Sequence, residues 1–158
     1  MPSNQTTCNR CGTVILQRTA DENHGQCLPC RRTKDGYDFD RKNSEWRKPV
    51  TDSLLCCIPG TLDEINPAAN HLAEQILPRS REYVAQGMKF LDEFAFESKL
   101  AGNKWCAVSI CFPCGDHRFE ISYEGPDYEH YLWTVVFSEN SHCTENPYWP
   151  TEARRNLH

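Results

Sequence analysis

The sequence predicts an α+β protein, a small N-terminal four-cysteine zinc ribbon followed by an α+β domain with two helices and an antiparallel sheet of three or more strands. Three observations predict it. Cys8-Asn9-Arg10-Cys11 is followed by fifteen residues and then by Cys27-Leu28-Pro29-Cys30. Residues 66–95 carry apolar side chains at spacings of three and four, as an amphipathic helix requires. Residues 105–138 carry three short β-prone runs divided by turn residues. Helices followed by strands suggest a meander with the helices on one face.

The length and composition fit this plan. The chain has 158 residues, 39% apolar and 25% charged, enough for one modest domain and a small module. No apolar run approaches the roughly 20 residues of a membrane-spanning helix. Met1-Pro2-Ser3-Asn4-Gln5 has neither the basic nor the apolar region of a secretory signal, so a cytoplasmic protein is expected. The formal charge is −5 but uneven. Residues 1–50 carry nine Lys/Arg against six Asp/Glu, and residues 51–158 carry eight against sixteen. The expected division is a zinc ribbon over 1–34, a linker over 35–50 and an acidic α+β domain over 51–158.

In a reducing compartment the cysteines point to metal rather than disulfides. Each C-x2-C pair forms a knuckle that aims two thiolates at one point, and two knuckles complete a tetrahedron. Cys8, Cys11, Cys27 and Cys30 are therefore the expected ligands of a structural Zn2+. Four thiolates close the shell and leave no position for substrate, which argues against a catalytic ion. Gly12 can supply the positive φ a knuckle often needs. Thr13 to Gln17 reads as a strand and Asp21 to Gly25 as its turn, with His24 a loop residue. Arg10, Arg31 and Arg32 could meet nucleic acid. However, no aromatic side chain lies between Cys8 and Cys30 for bases to stack on.

The linker reads as polar, with a short helix around Asn43 to Lys48 and with Tyr37 and Trp46 packing onto a module. Asn66-Pro67 makes an N-cap and first-helical pair. That helix runs to about Leu77, and Pro78 closes it. Ser80 caps a second helix with Tyr83, Val84, Met88, Leu91 and Phe94 or Ala95 inward. Gly87 weakens or divides it, and Ala101-Gly102-Asn103 ends it. The strands are Trp105–Phe112, Arg118–Glu124 and Tyr131–Ser138. In the second, Phe119, Ile121 and Tyr123 alternate with Arg118, Glu120, Ser122 and Glu124. The tail from Asn146, with Pro147 and Pro150, reads as irregular.

No nucleophile elbow, phosphate-binding glycine loop, HExxH or deaminase signature is present, so the chain is not expected to be an enzyme. Cys111-Phe112-Pro113-Cys114 with His117, and with His142 or Cys143, could be a second metal or redox site. It reads more simply as a strand end and turn. Cys56, Cys57 and Cys106 read as small buried hydrophobes. His71 with Glu74 resembles half a metal site but equally a surface pair. His130 with Asp127 and Glu129 falls where charged turn residues are expected anyway. The acidic side chains remain. Asp116, Glu120, Glu124, Asp127 and Glu129, with Glu139 and with Tyr128 beside them, could form one patch that steers a basic protein partner. The alternative is a solvated sheet face. Tyr123, Tyr131, Tyr148 and Trp149 are further candidate anchors.

The run from Cys8 to Gly12 and from Gln17 to Cys30 resembles a zinc-ribbon cap of bacterial toxin–immunity loci. The acidic second module, with Leu132-Trp133-Thr134-Val135-Val136-Phe137 near its end, is similar in style to immunity proteins of polymorphic and contact-dependent toxin systems. The resemblance implies a cytosolic protein that binds one cognate toxin and blocks its active surface. It carries no binding residue onto this chain. A zinc-ribbon regulator that binds nucleic acid is the alternative.

Overall fold

The computed structural model describes residues 4–95, 104–113, 117–125 and 131–157. It is an α+β fold built on a mixed sheet of eight strands, with a separate two-stranded hairpin at the N-terminus. The hairpin is β1 (Gln5–Thr7) and β2 (Val14–Leu16), followed by α1 (Gln17–Glu22) and α2 (Leu28–Arg32). The chain continues through β3 (Thr33–Lys34), β4 (Tyr37–Asp40), β5 (Glu45–Pro49) and β6 (Leu55–Pro59). Helices α3 (Pro67–Ile76) and α4 (Ser80–Ala95) follow, then β7 (Cys106–Cys111), β8 (Arg118–Glu124), β9 (Tyr131–Glu139) and β10 (Tyr148–Leu157). The strand order is β10-β9-β8-β7-β6-β5-β4-β3.

Neighbouring strands run antiparallel except β6 and β7, which are parallel. The three strands expected from the sequence, β7 to β9, do pair antiparallel; the sheet they belong to is larger than expected and mixed. A parallel pair needs a long crossover, and α3 with α4 supply it. Strand β8 lies where the alternation places it, and β9 where the β-prone run from Tyr131 does. The expected helix around Asn43 to Lys48 is instead the end of a turn and most of β5, in a β4–β5 hairpin in which Tyr37 and Phe39 point to the core side and Asp38 and Asp40 to the other. Strand β6 was not anticipated. Nor was β10, which occupies the tail read as irregular; Pro150 sits beside a register shift on this edge strand, where its missing N–H costs least.

Helix α3 begins as the sequence indicates, whereas Ser80, expected to cap α4, is its first helical residue. Asn66 Oδ1 accepts from the Ala69 amide at 2.9 Å, with Pro67 in the first turn. Pro78 does not close the path: Leu77–Arg79 forms a 3-10 turn that leads directly into α4. The expected end at Ala101-Gly102-Asn103 lies outside the described residues. Helix α4 packs Tyr83 and Leu91 into the core, while Phe94 remains largely exposed.

One face of the sheet carries the core. Phe119 stacks on Phe137 at 4.8 Å and meets Tyr83 edge-on at 5.0 Å. Trp46, Ile58, Ile110, Ile121, Tyr123 and Val135 join the same buried cluster as Ala69, Ala73 and Ile76 of α3. Trp46 Nε1 donates to the Thr61 carbonyl at 2.8 Å, and Trp105 Nε1 to Asp92 Oδ1 at 2.8 Å, so both indoles bury their rings with the N–H satisfied. Among the described residues no helix is long and apolar enough to cross a membrane.

Gly87 neither divides α4 nor serves a turn. It opens the helix surface so that Tyr123 can reach the Val84 carbonyl with its hydroxyl at 3.0 Å. A Cβ on Gly87 would stand 2.0 Å from Tyr123 Oη. Helix propensity alone favours Gly87→Ala by about 1 kcal/mol, but overpacking costs about 1–3 kcal/mol. Denaturant unfolding should show Gly87→Ala destabilised, with part of the loss restored by adding Tyr123→Phe. A stabilised single variant would refute this account of the contact.

Candidate metal centre

The N-terminal module has too few buried side chains to hold itself together: Cys8, Ala20, Asn23 and Cys27 are its buried residues. Its order comes from backbone turns around the sulfurs. The Gly12 amide donates to the Cys8 carbonyl at 2.9 Å, and the Cys8 amide to the Thr13 carbonyl at 2.8 Å. Gly12 adopts φ 75° there, as the knuckle reading requires. The second pair sits at the start of α2, where Pro29 occupies the first turn and lacks only an N–H the helix does not use. Asp21 and Glu22 belong to α1 rather than to a turn. The turn that follows has His24 exposed at φ 53° and Gly25 at φ 80°.

These turns bring together the four cysteines the spacing nominates. The sulfurs of Cys8, Cys11, Cys27 and Cys30 all lie within 4.8 Å of one another, with Cys11 and Cys27 at 3.7 Å. Thiolates about 2.3 Å from a tetrahedral ion stand roughly 3.8 Å apart, so the set fits such an ion. Amides of Cys27, Cys11 and Arg10 point at Cys8 and help lower its pKa to about 6. The Thr13 hydroxyl and amide lower that of Cys11. Cys30 is pushed up to about 12 by the neighbouring thiols of Cys27 and Cys11. Cys8 and Cys11 are thus the readiest to ionise, and Cys30 is the thiol that needs the cation to do so. Among the described residues this is the one group of three or more potential ligands arranged to hold a metal.

Two arginines bind the module to the sheet, a role the sequence did not reveal. Arg10 Nη1 donates to the Cys30 carbonyl at 2.7 Å and to the Thr33 carbonyl, joining the first knuckle to the start of β3. Arg31 donates to the Glu22 carbonyl at 2.6 Å and pairs with Asp63, which precedes α3. Asn9 closes the remaining side, its amide donating to Gly25 at 2.9 Å.

The other candidates are arranged differently. Cys114 and Asp116 lie outside the described residues, as do Asp127, Tyr128, Glu129 and His130. His117 is exposed and faces Glu139 at 3.3 Å. With His71, Leu72 and Tyr148 they line a cleft of about 370 Å³ on the helix side of the sheet. Glu139 is therefore not on the face that carries Glu120 and Glu124. His71 bonds Gln75 and Glu74 bonds Asn70, so both are helix-surface pairs. Cys106 is exposed, against the expectation that it is buried, whereas Cys56 and Cys57 are buried. Tyr123 and Tyr148 are core residues; Trp149 alone of the described aromatic candidates is strongly exposed, at 45%.

The second face of the sheet is polar, and among the described residues no helix packs on it. Its side chains follow from the register: Asp38, Asp40, Glu45 and Arg47 at one end, and Arg118, Glu120, Glu124, Glu152 and Arg154 at the other. Arg47 pairs with Asp40 at 2.8 Å and Glu45 at 2.6 Å. Arg154 pairs with Glu152 at 2.8 Å and Glu120 at 3.4 Å. Each of these two guanidiniums is bracketed by two carboxylates, so each set keeps a net negative charge. Asn43 and the Lys42 amide hold Asp40 below the usual carboxylate range, and Arg154 does the same for Glu152. Asp38, Asp40, Glu45 and Glu152 were absent from the sequence-level patch because strand pairing, not sequence proximity, adds them to Glu120 and Glu124.

No family model, curated protein or solved structure matches this chain.

Removing one thiolate should remove the ion. Cys27→Ser is expected to abolish binding of Co2+, read by its thiolate charge-transfer bands. Hydrogen exchange should accelerate across residues 5–32 on chelation while Ile121 and Val135 stay protected. Unchanged metal content in Cys27→Ser would disqualify the four-sulfur site.

Proposed function

We propose that the protein is a non-enzymatic, cytoplasmic inhibitor whose acidic sheet face binds a basic protein and that a structural zinc ion holds its N-terminal module. The toxin-neutralising role implied by the sequence resemblance is the specific form of this reading. The observation that carries it is the second sheet face, free of helices among the described residues, with six carboxylates, Asp38, Asp40, Glu45, Glu120, Glu124 and Glu152, against Arg47, Arg118 and Arg154. Regular strands present these charges in fixed positions, which favours steering and selection of a cationic surface.

Zinc suits four thiolates in a tetrahedron, and the filled shell gives it a structural rather than a catalytic role. Cys8, Cys11, Cys27 and Cys30 would hold the ion as thiolates, and it would supply the positive charge that offsets them and a link between the two knuckles. The chain's own groups then prepare the site: the amides around Cys8 and the Thr13 hydroxyl stabilise negative sulfur. The nucleic-acid reading is less favoured because Arg10 and Arg31, two of its candidate contacts, are occupied with carbonyls and with Asp63.

The test uses the zinc-loaded chain and its charge-reversed Glu120→Lys/Glu124→Lys variant. A basic protein should be recovered from the source organism at equal stoichiometry. It should be toxic when expressed alone and harmless when co-expressed with the wild-type chain. Binding should weaken at least tenfold in the variant and with rising salt. The lowered pKa values of Asp40 and Glu152 keep both charged below the ordinary carboxylate range, so their contribution should persist into mildly acidic buffer and vanish only as they protonate. Equal binding by the charge-reversed variant would overturn the assignment of the face.

A further inference from the structure

The second face, on which no described helix packs, also contains a pair of thiols, of which Cys57 is buried among its neighbours. The registers of the eight-stranded sheet place Thr33, Asp38, Arg47, Cys57, Cys111, Glu120, Val136 and Glu152 in one continuous row across it. Cys57 and Cys111 are direct partners in the parallel β6–β7 pair, so their side chains leave the sheet side by side on the same face. Neither belongs to the core cluster on the opposite face.

The flanking residues in the row are Arg47 beside Cys57 and Glu120 beside Cys111. Two thiols thus occupy the middle of a charged row. Adjacent strands stand about 4.8 Å apart, and disulfides join residues with Cα atoms about 4.4–6.8 Å apart. The backbone spacing therefore admits a bond between them. The neighbouring sulfurs hold Cys111 below and Cys57 above the usual thiol range, and Cys111 Sγ lies 3.9 Å from Ser109 Oγ. Cys111 is also the more exposed of the two. Both features make it the first to react.

We propose that Cys57 and Cys111 form a second thiol site, a dithiol on this sheet face that low-molecular-weight disulfides convert to a cross-strand disulfide. The Cys111 thiolate attacks one sulfur of the small disulfide, forming a mixed disulfide and releasing one small thiolate. Cys57 then loses its proton to solvent, attacks Cys111 Sγ and expels the second. Two protein thiols are oxidised, one small disulfide is reduced to two small thiols, and the sheet gains one S–S bond. This site is separate from the four N-terminal cysteines and does not depend on the proposed partner.

The experiment treats the zinc-loaded protein with oxidised glutathione and maps its peptides by mass spectrometry. The expected result is a loss of two thiols with unchanged zinc, and one cross-link between the tryptic peptides 48–79 and 105–118. That cross-link should form in Cys56→Ala and Cys106→Ala and be absent in Cys57→Ala and Cys111→Ala. Circular dichroism on each variant separates loss of the bond from loss of the fold, and the wild-type map needs no variant. Mixed glutathione adducts without the cross-link would overturn the proposal, as would a cross-link that survives in either Cys57→Ala or Cys111→Ala.

Discussion

The parallel pairing of β6 with β7 is the constraint on which the rest of the structure depends. On one side of it, β3 to β6 form an antiparallel ladder; on the other, β7 to β10 form a second. Without that pairing the two ladders would each have a single apolar face and too little depth to bury it. With it, Trp46 and Ile58 from the first share one core with Ile110, Phe119 and Val135 from the second. The pairing also requires a crossover, and this explains why both long helices fall between β6 and β7 in the chain. Tyr123 then fastens α4 to the sheet through the gap at Gly87.

The metal module is held by different physics. Its side chains bury little, so closure of the loop between two cysteine pairs takes the place of a core. Yet it is continuous with the sheet, because α2 leads at once into β3 and because Arg10 spans that junction. Arg31 adds a second brace to the loop before α3. Two of the three cations that made this region resemble a nucleic-acid surface, Arg10 and Arg31, are in this way used to satisfy carbonyls and an aspartate.

The parts legible in the sequence are those coded locally. The C-x2-C spacing identified all four clustered sulfurs. Asn66-Pro67 marked a helix start, and the alternation from Arg118 to Glu124 gave β8 and its two faces. The missed elements depend on pairing. Tyr37 and Phe39 alternate with aspartates, but over four residues flanked by charge this resembles a linker. Leu55–Pro59 is too short to show a period, and its identity as a central strand comes from β5 and β7 on either side. Pro147 and Pro150 made the tail look irregular, although Pro147 precedes β10 and an edge strand tolerates Pro150. For the same reason Glu120 and Glu124 could be named from sequence while Asp38, Asp40 and Glu152 could not. Cys57 and Cys111 are fifty-four positions apart in the chain, and only a non-local register makes them neighbours.

The two borders of the sheet are unlike each other. One, β10, is long, broken by a register shift at Pro150 and lined with charge, features that discourage another strand from joining it. The other is the two-residue β3, whose immediate neighbour in the chain is the four-cysteine module. That border has no proline and no bulge; its guard is the bulk of the module at its end. A metal ion held by the four cysteines would therefore bear on more than the shape of thirty residues. Were that module to loosen, the β4 border would be left as a template for intermolecular strand addition, so loss of the ion should appear as aggregation before it appears as unfolding of the sheet.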